Sequence, residues 1–183
     1  YICQGQSIAF TDQTVPTPVS WAWDFNGDGV TDSFVQNTSY TYTGQGIFNP
    51  TLTVTYSDNC QDTDANSFAV DVQPPLQVSF VPDTLLSCQT PFTVNFDNTT
   101  TGPGTLTYSW AIDGTFFSNA EDITQVFNNF GLYDIQLIAS SDVGCSAAAT
   151  FPDMVQVIEP TVSFTNPTVI CTNNPLDIFN IEV

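Results

Sequence analysis

Hydrophobic and polar positions alternate along most of the chain with a period of two. In "VSWAWDF" (residues 19–25) Val19, Trp21, Trp23 and Phe25 fall on one face, with Ser20, Ala22 and Asp24 on the other, as side chains do on a pleated strand. The runs "SIAFTD" (7–12), "TLTVTY" (51–56), "SFAVDV" (67–72) and "LQVSF" (76–80) alternate or are rich in β-branched and aromatic residues. So are "LTYSWAI" (106–112), "YDIQLIA" (133–139) and "MVQVIE" (154–159). Clusters of Gly, Pro, Asn and Asp separate these runs, and no apolar stripe of helical period appears. The expected fold class is therefore all-β, with immunoglobulin-like sandwiches of two sheets. The aromatic row should face inward, because such a row opposite small polar residues is usually core. An exposed tryptophan platform for sugars is the competing reading.

The runs recur. "CQGQSIAFTD" from Cys3 aligns with "CQTPFTVNFDN" from Cys88 at an offset of 85, and the offset carries Tyr42 onto Phe127, Gly46 onto Gly131, Phe48 onto Tyr133 and Cys60 onto Cys145. A third copy opens at "TVSFTNPTVIC", which ends on Cys171. These matches divide the chain into module 1 (residues 1–75), module 2 (76–160) and the start of module 3 (161–183). Module 1 is expected to lack its first strand and module 3 to be cut short, as in a window from a longer array. The junctions are short and proline-bearing, at Pro74, Pro75 and Pro160, which favours extended, semi-stiff connections and a rod.

The cysteines follow the repeat. Cys3 to Cys60 and Cys88 to Cys145 are both 57 residues apart. Equal spacing predicts one disulfide within each module, Cys3 to Cys60 and Cys88 to Cys145, with Cys171 unpaired in this window. Closing such a loop contributes about 3–4 kcal/mol in the chain-entropy model. Disulfides imply an oxidising, extracytoplasmic setting; buried free thiols are the alternative.

"SWAWDFNGDG", then "YTYTGQGIFNPTLTVT", then "FAVDV" together resemble a polycystic-kidney-disease-type (PKD) domain. The first motif maps onto Trp21 through Gly29 with an insertion in the turn, and the second onto Tyr42 through Val54, with Phe48 where the family has tyrosine. Copy two keeps Tyr108 and Trp110 but not the acidic turn. The resemblance implies immunoglobulin-like sandwiches without catalysis. The paired cysteines resemble those of repeats in large bacterial surface proteins, including gliding-motility adhesins exported by the type IX system. That implies a bacterial cell-surface location.

Composition narrows the chemistry. Among 183 residues there are 19 acids and no Lys, Arg or His, a net charge of −19. A phosphate clamp, Schiff base or basic nucleic-acid footprint cannot be built without those residues. Nucleic acids and anionic membranes should be repelled. The acidity supports solubility, and it also leaves trypsin-like proteases no site. General bases near neutrality would have to be carboxylates with raised pKa values, and no pair of acids recurs in a way that suggests a site. No enzymatic activity is expected.

One segment carries candidate metal chemistry. Asp24, Asn26, Asp28 and Asp32 spell D-x-N-x-D-G-x-x-D, with Gly29 sixth and the Val30 carbonyl seventh. These are the oxygen positions of a calcium loop, although Val35 stands where an EF-hand needs glutamate. The alternative is an acidic hairpin turn, since Asp, Asn and Gly suit turns. In copy two only Asp113 and Gly114 stand there, so Ca2+ is expected in module 1 alone. Asn37 and Asn98 head N-glycosylation sequons, and Thr84, between Asp83 and Leu85, is a candidate O-glycosylation site.

These features predict a structural or adhesive stalk segment. Its partners would be neighbouring modules, with surface polysaccharide or other cell-surface proteins bound by the parent protein. The alternative is an accessory module that holds polymeric substrate for a secreted polysaccharide- or protein-degrading enzyme.

Overall fold

The computed structural model describes residues 1–65 and 69–163. Cys171 and nearly all of the third copy therefore lie outside the described residues. The first eight strands are β1 (Ile2–Cys3), β2 (Ser7–Thr11), β3 (Ser20–Asp24), β4 (Asn37–Thr41), β5 (Gly46–Phe48), β6 (Thr51–Thr55), β7 (Gln61–Ala65) and β8 (Val70–Gln73). The next eight are β9 (Phe80–Pro82), β10 (Leu86–Ser87), β11 (Phe92–Asn98), β12 (Leu106–Ile112), β13 (Thr115–Ser118), β14 (Ile123–Phe127), β15 (Gly131–Ser141) and β16 (Ser146–Val157). Among the described residues there is no helix, and β1–β8 and β9–β16 pair only within their own sets.

In the second set a five-stranded sheet, β10-β16-β15-β12-β13, faces a three-stranded one, β14-β11-β9. Inward residues of both sheets form one core: Phe80, Val94, Phe96, Ile123 and Phe127 from one, and Trp110, Ile135, Leu137, Val155 and Val157 from the other. Alternation along β15 and β16 supplies this buried face, as the period of two requires.

The first set repeats the plan in smaller pieces. Sheets β1-β8-β5 and β3-β6-β7 stand where the second set has one continuous sheet, and β2-β4 lies opposite. The break has a chemical cause. Where β15 runs on through a bulge between Tyr133 and Ile135, the first set has Asn49 and Pro50 between β5 and β6. Proline has no N–H to donate to a ladder.

The aromatic row of β3 is buried in a graded way. Trp23 and Phe25 are 7% and 1% exposed, whereas Val19, which precedes the strand, is 60% exposed. Val19 was expected to face inward with the others, and it does not. Trp21 is half-buried and donates its indole N–H to Asp12 Oδ2 at 2.7 Å. Several strands carry no clear apolar alternation. β7, "QDTDA", is exposed along its whole length, and only its ladder with β6 makes it a strand.

Tyr42 is buried in this core, 1% exposed, and its hydroxyl donates to the Phe25 carbonyl at 3.2 Å. Burial first, and then Tyr40 and Asp32, push its pKa up to about 12 from 10.0. A group whose folded pKa is raised stabilises fully below its unfolded pKa and loses that contribution as pH rises through the folded value. Stability should therefore fall between pH 10 and about 12. Tyr42→Phe should cost about 1 kcal/mol near neutrality, one hydrogen bond, and flatten this alkaline decline, read as urea midpoints against pH.

Candidate functional site

The junction between the two strand sets is built rather than left open. β1 runs parallel to β8, with Cys3 opposite Gln73, so Cys3 sits where the chain leaves the first sandwich. From there Pro74 and Pro75 lead to Leu76, which is 5% exposed. Leu76 packs in one cluster with Cys3, Ala139 and Cys145. Ala139 belongs to β15 and Cys145 to the turn between β15 and β16, so the linker is clamped against the tip of the second sandwich's longest hairpin. Cys145 Sγ stands 3.9 Å from the Pro74 carbonyl oxygen.

Side chains and turns hold that tip in place. Ser141 Oγ donates to the Pro103 carbonyl at 2.6 Å, and the Thr105 N–H donates to Asp142 Oδ1 at 2.8 Å. Gly102 lies directly under Leu76, and a Cβ there would collide with the leucine side chain. The glycine therefore lets the linker seat.

The joint is closed by a disulfide between Cys3 and Cys145, with Cα atoms 5.4 Å apart and a separation of 142 positions in sequence. This overturns the expected pairings of Cys3 with Cys60 and of Cys88 with Cys145. Cys60 and Cys88 are exposed and free. The reason is geometric. Cys145 precedes β16 and Cys88 follows β10, which pairs with the far end of β16 at Gln156 and Val157. The twelve residues of β16 separate the two ends by roughly 36 Å at about 3.3 Å per residue, whereas a disulfide needs Cα atoms within about 7 Å. Equal spacing places the two cysteines at opposite ends of a module, and Cys3 meets Cys145 across the junction instead.

The acidic loop is organised by its own hydrogen bonds. Asp24 accepts from the N–H groups of Gly27 and Gly29 at 2.7 and 2.8 Å, and Asp28 accepts from Val30 N–H at 2.8 Å. Asn26 Oδ1 accepts from Asp28 N–H at 2.9 Å, and Asp32 Oδ2 accepts from Phe25 N–H at 2.7 Å. Among the described residues no group of three or more acidic, His or Cys side chains is gathered to hold a metal. These are the bonds by which Asp and Asn side chains close a turn on their own backbone. In the second set the same connection shrinks to Asp113 and Gly114, both at positive φ, a two-residue hairpin turn of the favoured kind.

A groove of about 580 Å³ runs along β2, lined among others by Phe10, Thr11, Asp12, Trp23 and Leu52. Its place in the fold explains it. In the second set β9 covers the matching stretch, Phe96 through Asn98, and Phe80 of β9 packs on Trp110 at 4.9 Å between ring centroids. No described strand covers β2 on that side. Of the glycosylation candidates, Asn37 is exposed and Thr84 is half-buried. The Asn98 amide nitrogen is buried, which leaves it no room for a glycan.

Comparison with known proteins places the first sandwich. Residues 1–72 match the PKD domain family. Among solved structures the chain is similar to the fibronectin(III)-like modules of Clostridium thermocellum CbhA, at 13% identity over 92% of this chain and 94% of that one, with a TM-score of 0.44. It is also similar to an I-band fragment of titin, at 15% identity over 87% of this chain and 62% of that one, with a TM-score of 0.42. No curated protein matches the sequence.

Peptide mapping without reduction should yield Cys3 linked to Cys145. Cys145→Ser should cost about 2–5 kcal/mol of stability, measured by urea unfolding, with Cys60→Ser as a near-neutral control.

Proposed function

We propose that this chain is a non-catalytic spacer segment of a larger secreted or cell-surface bacterial protein, with sandwiches in series that hold a binding region away from the cell. The observation that carries the reading is the joint. Leu76, Cys3 and Cys145 are buried together between the two strand sets, and a covalent bond ties the end of one sandwich to the hairpin tip of the next. A loose tether needs neither. A bond across a linker restricts bending about it, which is the property a spacer requires.

The net charge of −19 without a single cation supports the same role, since it keeps nucleic acids and anionic membranes at a distance. The narrowest form of the proposal is a gliding-motility adhesin exported by the type IX system, supported by the resemblance of its cysteine-bearing repeats. In that case the parent protein binds surface polysaccharide or other surface proteins, and this segment contacts its neighbouring modules. An accessory module for polymeric substrate would instead be favoured by an exposed aromatic row. Trp23 and Trp110 are 7% and 0% exposed and Trp21 is half-buried, so the row it needs is turned into the cores.

Small-angle scattering tests the serial arrangement. Two sandwiches end to end, each about 36 Å long, give a radius of gyration of about 23 Å. One compact body of this length gives about 16 Å. The larger value is expected, and a compact one would remove the spacer reading.

Calcium binding at Asp24, Asn26, Asp28, Asp32 and the Val30 carbonyl is a separate proposal supported by the sequence spacing. Binding would require these oxygens to turn from the loop's own N–H groups toward the ion. Calorimetric titration should then show one saturable site that Asp28→Ala abolishes. A flat titration of the wild-type chain leaves the loop as a hairpin turn alone.

A further inference from the structure

Cys60 and Cys88 are not leftover thiols by their geometry. The turn that carries Cys60 repeats the turn that carries Cys145. Tyr56 N–H donates to the Cys60 carbonyl at 2.9 Å, as Ser141 N–H does to the Cys145 carbonyl at 2.8 Å. Asn59 N–H donates to Tyr56 at 3.0 Å, as Gly144 N–H does to Ser141 at 3.0 Å. Asn59 and Gly144 share a left-handed backbone, with φ of 64° and 86°.

Cys88 repeats Cys3 in the same way. Ile2 lies opposite Val72 and Cys3 opposite Gln73 in the parallel pair β1–β8. Ser87 lies opposite Val157 in the parallel pair β10–β16, which puts Cys88 beside Ile158, where the chain leaves the second sandwich. Cys3 and Cys145, however, are bonded to each other and buried, whereas Cys60 and Cys88 are exposed and free.

We propose that Cys60 and Cys88 are the open halves of the same inter-module bond, each taking a cysteine of a further sandwich of this kind. The strand cysteine of every module bonds the hairpin cysteine of the module that follows it. Cys88 therefore takes a hairpin cysteine from a following module, and Cys60 takes a strand cysteine from a preceding one. Each module carries one half of a bond at either end, so the cross-links run the length of a series as a staggered chain of staples. This rests on the serial reading above and specifies what the modules recognise in each other.

Bond formation is ordinary thiol–disulfide exchange. With oxidised glutathione as oxidant, the Cys88 thiolate attacks one sulfur and releases one glutathione thiol. The thiolate of the hairpin cysteine then attacks the Cys88 sulfur of the mixed disulfide and releases the second. Two protein thiols become one disulfide, and one glutathione disulfide becomes two thiols.

A second copy of the chain supplies both complementary halves, which makes the inference testable with the 183-residue protein. In a Cys171→Ser background, concentrated protein is incubated with oxidised glutathione until no free thiol remains, then resolved without reduction and mapped. The expected product is a head-to-tail ladder joined by Cys60 of one copy and Cys88 of the next. Cys60→Ser or Cys88→Ser alone should abolish the ladder, and mixing the two variants should give dimers and nothing longer. Three results overturn the proposal: every thiol capped by glutathione, Cys60–Cys60 and Cys88–Cys88 links as abundant as mixed ones, or single variants that still polymerise. None of them alters the scattering result, so the spacer reading stands or falls separately.

Discussion

Burial of an aromatic stack between two sheets is the constraint on which the rest of this chain depends. Trp110, fully buried, packs against Phe80 and Phe96 with ring centroids 4.9 and 5.9 Å away. A one-residue slip in any of these strands would turn the aromatic face to solvent, so the core holds the register. Register in turn decides which residues sit at strand ends. It puts Cys145 at the tip of the β15–β16 hairpin and Cys88 at the far end of the same sheet. The disulfide across the joint is thus a consequence of core packing, one step removed.

The lack of any cation imposes a second constraint. Carboxylates that would elsewhere pair with lysine or arginine are held here mainly by backbone N–H groups. Asp24 closes the acidic turn, Asp142 anchors the hairpin tip to Thr105, and Asp122 Oδ1 accepts from Asn98 N–H at 2.8 Å. At Asp12 burial pushes the carboxyl up, but hydrogen bonds from Thr14, Trp21 and Gln36 outweigh it and leave the group below its ordinary value. Acidic side chains in this protein therefore stitch turns and strand ends, and hydrogen bonds to an ionised acceptor are the stronger kind.

The same economy of parts explains the joint. A linker of two prolines gives extended, semi-stiff geometry but no contact between the two bodies. Leu76 over Gly102 adds an apolar anchor, and the Cys3–Cys145 bond adds a covalent one. Both are buried in the junction between sandwiches, outside the period-two pattern of either core. That is why the all-β fold, the repeat and the inward Trp23 and Phe25 could be read from residue patterns, while the joint could not. Polar β7 was invisible for a related reason, since pairing with β6 rather than a buried face makes it a strand.

By itself the amino-acid order determined the strands with a buried face, the turn chemistry, the 85-residue repeat and the equivalence of the cysteines. These are local properties, set by side-chain period and backbone preference. Which cysteine meets which was decided only in three dimensions. Equal spacing is compatible with a bond inside each module or with a bond from each module to the next. A β-strand is extended, so two residues at opposite ends of one long strand pair cannot be brought together. The length of β16 chose the second solution.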